Sequence, residues 1–195
     1  MGYKKRVKLG VLGSGRGSNF ISIQNCIKQN QLDAEIAVVI SDKKSKMLEK
    51  ADEFGLPSVY INPKETKNKI EFDLKLVNTL KSYEVDIIIL AGYMRILSDE
   101  FIDAFPGRIL NIHPSLLPSF RGLHPQQQAI DAGVKFSGCT VHLVIPQLDA
   151  GPILSQSVVP VLEGDSEGAL SDRILIEEHK LYSETIQRFI QTNFK

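Results

Sequence analysis

Val85-Asp86-Ile87-Ile88-Ile89-Leu90-Ala91 decides the fold. From Ile87 onward the run is apolar at odd and even positions alike. A strand sends successive side chains to opposite faces, so such a run needs cover on both sides, as strands of a parallel sheet have. Working outward, 7–12, 34–40 and 58–61 are further β-rich apolar runs. The segments between them, 18–30, 43–54 and 66–83, carry helical spacing, as with Phe72, Leu76 and Leu80. Asn30, Gly55 and the pair Asn62-Pro63 supply stops. This alternation predicts an α/β fold, a doubly wound, mostly parallel sheet of about seven strands with helices on both faces. In the second half, 109–112 reads as a fifth strand and 126–132 as a short helix. Segments 140–145 and 153–159 read as a pair adding antiparallel strands toward the C-terminal edge, before a closing helix over 167–192.

Gross composition narrows the function classes. At 43% hydrophobic and 24% charged residues the chain has the make-up of a soluble globular domain. Lys+Arg and Asp+Glu balance at 23 each, so nothing overall favours nucleic acid or an acidic membrane, while a local anion pocket stays open. Cys26 and Cys139 make neither a disulfide framework nor a metal spacing and read as isolated buried thiols of a reducing compartment. The basic start Met1-Gly2-Tyr3-Lys4-Lys5-Arg6 precedes an apolar run too short for a signal or membrane segment, which makes the cytoplasm the expected location. No repeat, low-complexity tract or linker interrupts the chain, and one domain over 1–195 is expected.

Gly13-Ser14-Gly15-Arg16-Gly17-Ser18-Asn19 follows the first strand and opens a helix. Position 18 is Ser, so the dinucleotide fingerprint fails, and the P-loop ending is missing too. Two readings remain: a tight strand-to-helix turn with a cap, or a site where glycine backbone and free helix N–H groups take a phosphate monoester. Asn111-Ile112-His113-Pro114 ends the fifth strand, and residues two apart on a strand share a face. His113 could exchange a proton near neutral pH and Asn111 could donate to an oxyanion, although a lone strand-end histidine is more often structural. Asp149 by itself reads as a turn aspartate; beside His113 it would favour the imidazolium.

Other polar residues read more plainly. His142 reads as a hydrogen-bonded sheet residue, and His124 and His179 as solvated or structural. No metal-ligand spacing occurs, and Ser18 and Ser115 lack a nucleophile elbow. Glu178 falls in the apolar arc of Leu170, Ile174, Leu181, Tyr182 and Phe189, whereas Glu177 falls outside it. A carboxylate there needs a partner, either an internal Arg or backbone N–H, or a polar ligand.

Asn111-Ile112-His113-Pro114-Ser115-Leu116-Leu117-Pro118, Gly122-Leu123-His124, Thr140-Val141-His142 and Leu148-Asp149-Ala150-Gly151-Pro152 resemble the folate-dependent formyltransferases. Gly17-Ser18-Asn19, Ala91-Gly92-Tyr93-Met94-Arg95-Ile96-Leu97, Glu163-Gly164-Asp165-Ser166 and Glu178-His179 narrow the resemblance to the small purine-pathway branch. It runs through nearly the whole chain in order.

The resemblance implies a single formyltransferase domain, with a Rossmann-like phosphate-binding half over 1–100 and a catalytic, folate-binding half over 101–195. It implies that 10-formyltetrahydrofolate, a co-substrate, gives its formyl group to the amine of N1-(5-phospho-D-ribosyl)glycinamide, without a metal. Gly17, Ser18 and Asn19 would then bind the phosphate and Glu178 the ribose hydroxyls. Met94, Arg95, Ile96, Leu97, Asn111, Ile145, Leu148 and Asp149 would line the folate pocket, and Lys69 would lie near the folate's acidic tail. Asn111, His113 and Asp149 would be the catalytic trio, and the Leu117–Pro118 bond would be cis. Arg121-Gly122 is reminiscent of the methionyl-tRNA branch, and Pro125 is a local departure. The implied partners are small molecules, with no nucleic acid and no membrane, for a monomer or homodimer.

Rival readings fit less well. A methionyl-tRNA formyltransferase is expected to carry a further C-terminal domain and a basic surface. A formyltetrahydrofolate hydrolase is expected to carry an N-terminal regulatory domain. A sugar-nucleotide formyltransferase shares the trio but not the Gly-Ser-Asn turn. A non-catalytic nucleotide-binding module would need an acid after the second strand; Asp42 could serve, but the fingerprint is broken.

Overall fold

The structure, a computed structural model, describes residues 6–194; of the basic leading segment, residues 1–5 lie outside the described residues, as does residue 195. Strands β1 (Val7–Leu12), β2 (Ala34–Ser41), β3 (Ser58–Tyr60), β4 (Ile87–Leu90) and β5 (Ile109–His113) pair in parallel. Strands β6 (Phe136–Leu143) and β7 (Ile153–Pro160) extend the sheet antiparallel. The sheet order is β3-β2-β1-β4-β5-β6-β7.

The isoleucine run does what its pattern predicts. Ile87 and Ile89 enter one core with α1 (Ser18–Lys28), α2 (Lys46–Glu53), α5 (Pro125–Asp131) and α6 (Glu167–Asn193). Ile88 and Leu90 enter the other, with α3 (Lys69–Ser82) and α4 (Asp99–Ala104). Each fully buried side chain of this size contributes roughly 1.5–3 kcal/mol. A strand loaded on both faces therefore belongs inside the sheet, and β4 lies between β1 and β5. The chain moves outward from β1 through β2 to β3, then returns to the other side of β1 with β4. That reversal opens a crevice beyond the C-terminal ends of β1 and β4, where ligands of such sheets bind.

Several boundaries differ from the sequence reading. Helix α4 was not expected: at six residues it is too short to show a period, and Ser98 caps it by accepting from Phe101 N. Helix α2 begins after Ser45 and α3 after Asn68, whose side chain accepts from Glu71 N. Strand β6 starts at Phe136 rather than 140 and ends at Leu143, because its length is set by pairing with β7 rather than by local pattern. Cys139 is buried on β6, but Cys26 is only half-buried, and both are free thiols. Among the described residues no helix is long and apolar enough to cross a membrane.

Candidate active site

The glycine turn bridges β1 to its two sheet neighbours. Gly13 N donates to Ile40 O at 3.1 Å on the β2 side, and Ser14 N donates to Gly92 O at 3.0 Å on the β4 side. Gly17 caps α1 with φ 76°, and a Cβ there would lie 2.7 Å from Met47 Cγ and 3.1 Å from its Cα. A Cβ on Gly15 would meet nothing within 4 Å, so packing does not explain that glycine. The N-terminus of α1 has no side-chain cap and no acid in its first turn, whereas α3, α4 and α6 are each capped by a side chain. Uncapped helix N–H groups beside an open glycine suit an anion. Gly17→Ala is expected to cost about 1–2 kcal/mol for the left-handed backbone alone. The Met47 clash adds to that, and the loss is read as a lowered urea midpoint.

His113, at the tip of β5, and Asp149, in the loop between β6 and β7, meet with Nδ1 and Oδ2 3.5 Å apart. Both side chains are buried. His113 Nε2 lies 2.9 Å from Phe120 O, an atom that only accepts, so this nitrogen carries a proton. Both ring nitrogens thus face oxygen acceptors. Asp149 adopts φ 49°, and its Oδ2 also accepts from Gly122 N at 3.0 Å, tying the 119–122 loop to the trio. Asn111 shares the face of His113, as strand parity predicts, and its Nδ2 lies 3.1 Å from His142 Nε2.

Glu178 is buried on α6, as its place in the apolar arc predicts. Its partner is neither an Arg nor a backbone N–H: Asn19 Nδ2 donates to Oε2 at 2.8 Å. Glu177, expected in solvent, is half-buried and accepts from Ser157 Oγ and Lys180 Nζ. Met94 and Ile96, in the loop after β4, and Leu148, next to Asp149, expose their apolar side chains, with Ile145 half-buried and Leu97 buried. Arg95 stacks 4.7 Å over the Phe72 ring, and Lys69 Nζ donates to Leu97 O at 3.0 Å. The Leu117–Pro118 bond is cis. His124 is exposed and pairs with Glu167, and His179 is half-buried with Nε2 unpartnered. Among the described residues no three His, Cys, Asp or Glu side chains converge as a metal set.

A formyl transferase family model matches residues 7–186. The chain belongs to the formyl transferase family. It is 41% identical over 187 residues to the phosphoribosylglycinamide formyltransferase of Bacillus subtilis, covering 95% of this chain and 96% of that one. It is 43% identical over 185 residues to the human trifunctional purine biosynthetic protein adenosine-3, covering 94% of this chain but spanning only 18% of the human protein. Among solved structures, glycinamide ribonucleotide transformylase 1 of Symbiobacterium toebii superposes with TM-score 0.95 at 45% identity, over 96% of this chain and 89% of that one.

Two residues beside the candidate site were named in the sequence but given no part in it. His142 is a hydrogen-bonded sheet residue as expected, but its partner is Asn111, directly opposite it across β5 and β6. His142 Nδ1 lies 2.9 Å from Leu143 O and so bears the ring proton, leaving Nε2 to accept from the Asn111 amide. That bond fixes which end of the carboxamide is nitrogen and leaves its second N–H free. The other residue is Tyr182, whose hydroxyl lies 3.0 Å from Leu90 O and 2.9 Å from Leu110 O, anchoring α6 one turn beyond Glu178 beneath β4 and β5. The sequence signals were the Thr140-Val141-His142 motif for His142 and an apolar-arc position for Tyr182.

Burial holds the His142 pKa below 6.5. A depressed histidine contributes stability fully above its unfolded pKa, and that contribution is lost as the pH falls from about 6.5 through the lower folded value. Protonation would also put a hydrogen where Asn111 now donates. Turnover and the urea midpoint of this formyl transferase are therefore expected to fall together below pH 6.5. In a His142→Gln variant, the pH-dependent part of the midpoint should flatten. An unchanged profile would separate His142 from Asn111.

Proposed function

We propose that the enzyme transfers the formyl group of 10-formyltetrahydrofolate to the amine of N1-(5-phospho-D-ribosyl)glycinamide, giving the N2-formyl product and tetrahydrofolate in purine synthesis. The observation that carries the reading is the convergence of Asn111, His113 and Asp149 at the strand ends that also present the glycine turn. Strands β1 and β5 are two sheet spacings apart, or roughly 10 Å, the scale of one phosphorylated sugar. In this reading the α1 N-terminus, with Gly17, Ser18 and Asn19, takes the phosphate, and Glu178 takes the ribose hydroxyls. The pterin covers Met94, Ile96 and Leu148, with Arg95, Leu97 and Ile145 completing the wall. Lys69, exposed and held at the rim by Leu97 O, lies where the acidic tail leaves. The 1–100 half supplies the phosphate turn, and the 101–195 half supplies the trio and the rest of the folate wall.

The amine nitrogen bonds to the formyl carbon as the carbonyl electron pair moves to oxygen. The free Asn111 N–H and an N–H of the His113 imidazolium stabilise that oxyanion, Asp149 balancing the ring's charge. His113 Nε2 lies 2.9 Å from Phe120 O, so productive binding exchanges that acceptor for the formyl oxygen. As the bond from carbon to the folate nitrogen breaks, that nitrogen gains a proton and the amine loses one, relayed by a water ordered on Asp149. No covalent enzyme intermediate is required, because aligning two bound reactants supplies much of the gain.

Small molecules suffice as partners, with no role for nucleic acid or a membrane. A monomer or homodimer working in the cytoplasm completes the reading. The test incubates purified protein with 10-formyltetrahydrofolate and follows folate absorbance with and without the glycinamide ribonucleotide. Donor should be consumed only with the acceptor present, one formyl group per acceptor. Consumption that ignores the acceptor would mean a hydrolase, and no consumption in either case would return the chain to a binding module.

A further inference from the structure

Asn19 belongs to the glycine turn by sequence, yet its side chain is turned away from an anion's needs. Phosphate oxygens only accept hydrogen bonds, whereas Asn19 Nδ2 already donates to Glu178 Oε2 at 2.8 Å and its Oδ1 is a buried acceptor without a partner. Both residues are more than nine-tenths buried, at 8% and 7% exposure. One hydrogen of Nδ2 is thus committed to Glu178 and the carboxamide keeps one more, whereas the backbone N–H groups at the start of α1 all survive a side-chain truncation at position 19.

We propose that the Asn19 carboxamide is a positioning residue for the ribose acid rather than a phosphate ligand, holding Glu178 aimed at the acceptor's vicinal hydroxyls while the backbone of the same turn holds the phosphate. The inference rests on Glu178 serving as the ribose site. Its energetic basis is the environment of Glu178. Burial raises the carboxyl pKa, and the Asn19 hydrogen bond pulls it back down. The other ionisable groups whose electrostatics register Glu178 are Tyr182, beside it on α6, and Cys139 on β6; burial pushes both upward, Cys139 to about 12, so both stay neutral. Without Asn19 the buried carboxylate would hold a proton to higher pH than in the wild type, and the protonated form accepts less well from a sugar hydroxyl.

Calorimetric titration of the full chain without formyl donor tests this. The probes are the glycinamide ribonucleotide, its 2′-deoxy analogue and inorganic phosphate. The proteins are the wild type, Asn19→Ala, Asn19→Ser and Glu178→Gln, each checked for an intact urea transition. The wild type should prefer the ribonucleotide over its 2′-deoxy analogue by about tenfold, the scale of one hydrogen bond to a charged group. That preference should collapse toward one in all three variants, while inorganic phosphate binds each within about twofold of wild type, an interaction carried by backbone N–H groups. In Asn19→Ala the preference should return as the pH is raised and Glu178 ionises, which a generally loosened helix would not do. Loss of phosphate and ribonucleotide binding in equal measure, with the preference intact, would make Asn19 a phosphate ligand after all. A wild type without any preference would instead defeat the ribose role of Glu178, on which the inference rests. These arms read binding and stand apart from the turnover test of formyl transfer.

Discussion

Alanine at position 113 is expected to lower kcat about 10²–10⁴-fold, the range of a positioned acid–base group, while KM for either substrate moves by no more than about threefold. In the proposed scheme the ring's role grows only as the tetrahedral intermediate forms. Its two nitrogens lie against Phe120 O and Asp149, so in the proposed scheme trading Phe120 O for the formyl oxygen changes ground-state binding little. Asn111→Ala should cost about 10²–10³-fold, the loss typical of one oxyanion donor. As the proposed scheme has both residues acting on one oxygen, it predicts a double variant far less impaired than the product of the two singles. Steady-state kinetics on both substrates, with the urea midpoint as a folding control, decides the matter. A His113→Ala enzyme with near-wild-type kcat would remove the imidazole from the scheme.

The sequence was most legible where a residue's environment is set by its own element. The isoleucine run of β4 had to be buried on both faces, and it divides between the two cores by parity. The same parity put Asn111 and His113 on one face of β5, and helical phase put Glu178 among apolar neighbours. What stayed illegible depends on register between distant segments. Nothing local says that His142 stands opposite Asn111, since that pairing follows from how β6 docks antiparallel on β5. The approach of Asp149 to His113 likewise depends on where the loop from β6 to β7 folds back. Glu178 announced that it needed a partner but could not name Asn19, 159 residues away. Helix α4 was missed for a different reason: its capping by Ser98 and the anchoring of Ser98 N by Asp73 at 2.7 Å are tertiary events around a segment too short to have a period.

Asp149→Asn and Asp149→Ala should fail differently, and the difference separates charge from scaffold. Asp149 sits at φ 49°, a backbone conformation that Asn tolerates and that costs Ala about 1–2 kcal/mol. The Asn variant therefore keeps the turn and an oxygen for Gly122 N, and loses only the negative charge beside His113. Removing one member of a buried charged pair typically costs about 3–5 kcal/mol. Expressed in the transition state, where the imidazolium is needed, that is a fall in kcat of about 10²–10⁴-fold, with KM nearly unchanged. The Ala variant loses the charge and the tether together. Without the bond from Gly122 N, the 119–122 loop that carries Phe120 O keeps its bonds to Ser115 and Gln128 but loses its tie to the trio, so KM for both substrates should rise as kcat falls. Kinetics of the two variants side by side read this directly. If Asp149→Asn turns over like the wild type while Asp149→Ala does not, Asp149 is a tether for the loop, and the charge that balances His113 must come from a bound substrate.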